Sequence, residues 1–61
     1  MEPSIEKLRM YKTAWSPVWN CFVGILRVYT DENGAPILEC RLHPSNNVIL
    51  FRASELTDYV L

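Results

Sequence analysis

Three apolar runs, separated by turn-forming residues, organise this chain: Val18 to Thr30, Pro36 to His43, and Val48 to Arg52. All are rich in branched and aromatic side chains, the composition of strands. Between the first two, Asp31-Glu32-Asn33-Gly34 predicts a type I turn followed by a left-handed glycine, a three-residue hairpin loop with a bulge. A tighter two-residue turn at Asn33-Gly34 is the rival, one register step away, and one step moves side chains between faces. The bulged loop sets Val28 opposite Leu38, Leu26 opposite Cys40 and Arg27 opposite Glu39. Apolar then meets apolar on one face, and opposite charges pair on the other. The tight turn would set Arg27 against Cys40 and Val28 against Glu39, so the bulged loop is the expectation. His43-Pro44 closes the second strand, and Ser45-Asn46-Asn47 makes a second turn with Asn47 at positive φ. That register places Leu42 opposite Leu50 and His43 opposite Ile49.

The flanks read as helical. Ile5, Leu8, Tyr11 and Trp15 recur at three- and four-residue steps, with Glu6, Lys7, Arg9 and Lys12 mainly off that stripe. Pro3 and Ser4 open the segment, Ser4 can cap it, and Ser16-Pro17 ends it. A helix over about Ile5 to Ala14 follows, with a short strand through Leu8 to Tyr11 as the competing reading. Ser54 caps a second helix of one or two turns within Glu55 to Leu61. The predicted fold class is α+β: an N-terminal helix packed on a three-stranded antiparallel β-meander with a short C-terminal helix, one small domain over residues 1–61. This element order resembles double-stranded-RNA-binding domains. Their last helix opens with lysines, whereas Ser54-Glu55-Leu56-Thr57-Asp58 is acidic, so that activity is not carried over.

On the predicted register Phe22, Leu26, Val28, Leu38, Cys40, Leu42, Val48 and Leu50 share the face that the helix covers. The opposite face holds Trp19, Val23, Ile25, Ile37, Ile49 and Phe51, interrupted by Arg27, Glu39, Arg41 and His43. A half-solvated antiparallel sheet should be polar on its outer side. Here that side carries more apolar surface than monomers ordinarily expose. Three arrangements would account for it: a symmetric dimer through this face, a different protein bound to it, or strands curled so that it becomes an interior. Gly24 favours the bend that curling needs. A three-strand count argues against a barrel.

Composition narrows the classes. Apolar residues are 49% and charged residues 21% of 61, a folded rather than disordered composition, at a size where a core alone is barely sufficient. Six basic and seven acidic residues are interspersed for a net charge of -1. A purely electrostatic grip on nucleic acid or anionic lipid is therefore not expected. Met1-Glu2-Pro3-Ser4 opens without an apolar signal core. The greasiest stretch, Val18 to Val28, contains Asn20 and Arg27 and is shorter than the ~20 residues of a membrane-spanning helix. The expected setting is reducing and cytoplasmic, with no membrane partner.

Cys40-Arg41-Leu42-His43 is half of a metal site, with Cys21 as a third donor. On an extended strand, however, Cys40 and His43 point to opposite faces, and zinc needs about four converging ligands. Neither a metal, a cofactor nor a Cys21–Cys40 disulfide is expected. No nucleophile, base and orienting group come together, so no enzyme is expected either. The functional expectation is a small protein-interaction or regulatory module, homodimeric, that presents its mixed apolar face to a protein target. Its contact residues would be Trp19, Val23, Ile25, Ile49 and Phe51, with Arg27, Arg41 and His43 as polar register. The alternative is a β-rich module binding single-stranded nucleic acid, through Trp19, Tyr29 and Phe51 interleaved with Arg27, Arg41 and Arg52.

Overall fold

The computed structural model describes residues 4–43 and 45–61; Pro3 and Pro44, invoked above, lie outside them. The order is α1 (Ile5–Leu8), β1 (Thr13–Ser16), β2 (Cys21–Thr30), β3 (Pro36–Leu42), β4 (Val48–Arg52), a 3-10 turn (Ala53–Glu55) and β5 (Thr57–Val60). The strands form one antiparallel sheet in the order β4-β3-β2-β1-β5. The α+β expectation of a helix on a three-stranded meander is therefore corrected: the fold is a five-stranded sheet with one helical turn at its start.

Both helix assignments fail for the same reason. Ser4 does cap α1, its hydroxyl accepting from the Lys7 N–H at 3.3 Å, but the helix stops at Leu8. A helical turn is costly to nucleate and gains only its own bonds. Thr13–Ser16 instead finds backbone partners on both sides, β2 and β5. Thr57–Val60 fills the other edge of β1 in place of a second helix. The Glu55 carboxylate accepts from the Arg52 N–H at 2.6 Å, tightening the single 3-10 turn that joins β4 to β5.

That short link forces the sheet to roll. Flat, β4 and β5 would stand four inter-strand spacings apart, about 19 Å. The chain from Arg52 to Thr57 includes the 3-10 turn and reaches only about 14 Å. The two end strands must therefore curl toward each other, as in the third arrangement weighed from the sequence. The concave side holds the core: Leu8, Ala14, Val23, Leu38, Cys40, Leu42, Phe51, Ala53 and Leu56, with Ile25, Val28 and Ile49 packed against it. Tyr11 stacks at a tilt on Tyr59 (5.1 Å between centroids), and the Tyr59 hydroxyl donates to the Ala53 carbonyl at 2.6 Å.

The first turn matches its sequence signature. Gly34 has φ 80°, its N–H donates to the Asp31 carbonyl at 3.0 Å, and Asp31 Oδ1 accepts from the Asn33 and Ala35 N–H groups, each at 2.9 Å. Val28 faces Leu38 and Arg27 faces Glu39, as that turn requires. Beyond Arg27 the register slips: Cys40 pairs with Ile25, not Leu26, so Leu26 is the extra residue of a β-bulge. At the second turn the left-handed residue is Asn46 rather than Asn47, and Cys40 pairs with Ile49. Each is an odd-numbered slip, so each exchanges faces. Val23, Ile25, Ile49 and Phe51 turn inward, while Phe22, Leu26, Val48 and Leu50 turn outward.

Candidate functional site

The convex side of the sheet is a grid of rows set by the ladders. Trp15 of β1 sits beside Phe22 of β2, and their rings meet edge to face at 4.8 Å. The next row runs Thr13, Gly24, Arg41, Val48. After it come Arg27, Glu39 and Leu50, then Tyr29, Ile37 and Arg52. Phe22 (56% exposed), Leu26 (42%), Val48 (51%) and Leu50 (61%) keep large apolar area in water. Such a concentration on one side is the usual mark of a contact surface.

A shallow groove of about 300 Å³ lies on this side, lined by Thr13, Phe22, Gly24, Leu26, Arg41 and His43, with the otherwise buried Val23 also bordering it. Gly24 makes its floor. A Cβ built there meets nothing within 4 Å, and the residue does not occupy the left-handed region. Neither backbone conformation nor crowding therefore requires glycine at this position; its effect is to leave a gap between Phe22 and Leu26. Along the strand that gap is flanked by apolar walls, and across it stands the Arg41 guanidinium. The groove thus offers an apolar floor with one cationic wall.

The charges around it are ordered by short contacts. The Tyr29 hydroxyl donates to Glu39 Oε1 at 2.8 Å. Tyr29 first, and the Glu39 carboxylate after it, push Arg27 further toward its charged form. At the far corner Arg52 Nη1 meets Asp31 Oδ2 at 3.0 Å, joining β4 to the β2–β3 turn. Arg52, then the Ala35 N–H, hold the Asp31 carboxyl below its ordinary value. On the concave side, burial and secondarily the Glu39 charge push the Cys40 thiol up to about 12.

The sequence-predicted contact residues divide three ways. Val23 and Phe51 are buried in the core, and Ile25 and Ile49 are half-buried against it, so these four are corrected from contact surface to interior. Arg41 and His43 do come together, at the groove, and Arg27 lies one row on. Trp19 is exposed but stands apart on the Pro17–Asn20 turn, which the buried Ser16 hydroxyl ties down by accepting the Trp19 N–H at 3.1 Å. Of the aromatics suggested for nucleic acid, Phe51 is interior and Tyr29 is exposed on the convex side. Trp15, Phe22, Gly24, Leu26 and Leu50 were missed. For Phe22, Gly24 and Leu26 the signal was the adjacent pair Ile25-Leu26, which breaks alternation in mid-strand; Leu50 followed from the second turn and Trp15 from the helix that is a strand instead.

Cys21 and Cys40 are free thiols. Among the described residues no three His, Cys, Asp or Glu side chains converge on a common point, and no helix is long and apolar enough to cross a membrane. In comparisons with known proteins, no family model matches the chain, and no curated protein or solved structure matches it at a significant level.

Proposed function

We propose that this chain is a non-enzymatic binding module that takes a segment of a protein partner in the convex groove. An apolar side chain of the partner lies over Gly24 between Phe22 and Leu26, and an acidic group beside it meets Arg41 and His43. The observation that carries this reading is the glycine floor: a gap that folding does not require, bordered by exposed apolar side chains and a cation. Desolvated apolar anchors with a charged neighbour are the usual source of affinity and register in small interfaces. We place the module in the cytoplasm, in keeping with its two free thiols.

Panning a random peptide library on the immobilised chain tests this. Enrichment of peptides pairing a large apolar residue with Asp or Glu is expected. Gly24→Val, whose Cβ meets nothing within 4 Å, should weaken them at least ~10-fold and should not lower the thermal midpoint, since valine suits a strand better than glycine. Peptides that bind Gly24→Val as well as the parent chain would remove the groove from the account.

A second reading has its own support. Trp15, Phe22 and Tyr29 share the convex side with Arg27 and Arg41, and rings interleaved with guanidinium groups suit single-stranded nucleic acid. A fluorescent oligonucleotide should then bind with steep salt dependence. Its failure to bind at low salt leaves the peptide reading alone.

A further inference from the structure

The two ends of the sheet differ in how they meet water. At β5 the edge is broken: Asp58 sits at φ 52°, and the pairing with β1 shifts register between Thr13 and Trp15. A bulged, twisted edge does not template another strand. At β4 the edge is regular. Val48-Ile49-Leu50-Phe51-Arg52 contains no proline, lysine, glycine or bulge, and all five residues stay in register with β3.

Which backbone groups face outward follows from the ladder. The Leu42 N–H donates to the Asn47 carbonyl at 2.7 Å, so that pair is hydrogen-bonded. Antiparallel pairs alternate, which makes Cys40–Ile49 and Leu38–Phe51 the bonded pairs. The N–H and C=O groups of Val48, Leu50 and Arg52 therefore point away from β3. Arg52 agrees with this, because its N–H is taken by the Glu55 carboxylate. For Val48 and Leu50 no backbone partner exists among the described residues, and both side chains are more than half exposed.

We propose that a second copy of this chain pairs with this edge, β4 against β4, antiparallel about Leu50. The pattern is its own complement. Leu50 and the partner's Leu50 exchange a reciprocal pair of hydrogen bonds, and the Val48 N–H reaches the carbonyl of the partner's Arg52, whose own N–H stays with Glu55. The two-fold axis stands perpendicular to the sheet, so both convex sides face the same way; Leu50 meets its counterpart across the seam, and Val48 lies beside the partner's Arg52. Two five-stranded sheets become one, and exposed apolar surface is covered where it borders the open edge. A second copy fits because it presents the same length, the same outward groups and the same side chains at the same height. The edge pairing does not depend on the groove being a peptide site.

Sedimentation velocity from sub-micromolar to high-micromolar concentration, paired with amide hydrogen exchange, tests it. The expected results are a two-chain mass at high concentration and exchange at Val48 and Leu50 that slows as concentration rises. Leu50→Lys puts a charge on the seam, and Leu50→Pro removes an N–H that the single chain does not use. Each should raise the dimer dissociation constant at least ~10-fold with the circular dichroism of the fold retained. Gly24→Val, away from the edge, should leave the two-chain mass unchanged. A single-chain mass at every concentration overturns the proposal. So does a dimer indifferent to Leu50→Lys, or Val48 and Leu50 amides whose exchange ignores concentration in the unaltered chain.

Discussion

The same strands carry two very different faces. Toward the concave side β1, β2, β3 and β4 turn Ala14, Ser16, Val23, Leu38, Cys40, Leu42 and Phe51, all buried. Toward the convex side they turn Trp15, Phe22, Leu26, Tyr29 and Leu50 among Arg27, Glu39 and Arg41. Hydrophobicity alone does not separate the two sets; volume contributes. A sheet rolled by a short link, with a Cα radius of gyration of 10.5 Å, has a narrow interior. Small and medium side chains with a single phenylalanine, Phe51, fill it, while Trp15 and Phe22 are left to pack on each other outside. The apolar excess on the convex side is thus the remainder of a core too small for it, and a remainder with a groove in it is material for recognition.

Truncating one leucine on each face tests that division most severely. Leu38 has no exposed surface, whereas Leu50, one strand away, is 61% exposed. Leu38→Ala should destabilise by about 2–5 kcal/mol, and Leu50→Ala by no more than about 0.5 kcal/mol. At this size the first should lower the melting midpoint by roughly 10 °C or more. Both should be measured at low concentration, where self-association does not add to Leu50. Equal costs would mean that the faces are not divided as described.

Alkali addresses the concave face through the difference between the parent chain and a variant that lacks the Cys40 thiol. Cys40 titrates near 12 in the folded chain against an ordinary value of 9.0. The folded state therefore holds its proton more tightly than the unfolded one. Its stabilising contribution is complete below pH 9 and declines as pH rises from there toward 12. Denaturation midpoints across that range should fall more steeply for the parent chain than for Cys40→Ala. Iodoacetamide at mild pH should modify the half-buried Cys21 before Cys40. Prompt modification of Cys40 in the folded chain would contradict its burial.

The division of faces was only partly legible in the sequence, and parity explains why. The Asp31–Gly34 turn could be read because its chemistry is local: an aspartate that caps two N–H groups and a glycine free to take positive φ. It fixed β3 correctly, which is why Arg41, His43 and Arg27 were assigned to the outer surface. Counting back along β2 by twos then failed at Leu26. The bulge serves the curvature of the whole sheet, and that curvature is set by the link between β4 and β5, far away in sequence. The second turn failed by a similar odd step. The helical spacing of Ile5, Leu8, Tyr11 and Trp15 was real in the sequence, yet β1 is a strand because two neighbours supply its hydrogen bonds. No local pattern reports that.

Acid addresses the convex side, with the smallest expected effect. Asp31 sits where the β2–β3 turn meets β4, with Arg52 and two backbone N–H groups on its oxygens. Its folded proton affinity is lowered, Arg52 being the first cause. The stabilisation it provides is present above the unfolded value of about 3.9 and is lost as pH falls through the depressed folded value. The pair is solvated, so the loss is a shallow acid slope rather than a collapse. Asp31→Asn keeps an oxygen for the Asn33 and Ala35 N–H groups but removes the charge, so it should flatten that slope with little change at neutral pH. If the two faces are energetically separate, Asp31→Asn leaves the alkaline decline of Cys40 intact, and Cys40→Ala leaves the acid slope intact. A variant that altered both limbs would show that the rolled sheet transmits a change at its outer rim to its core.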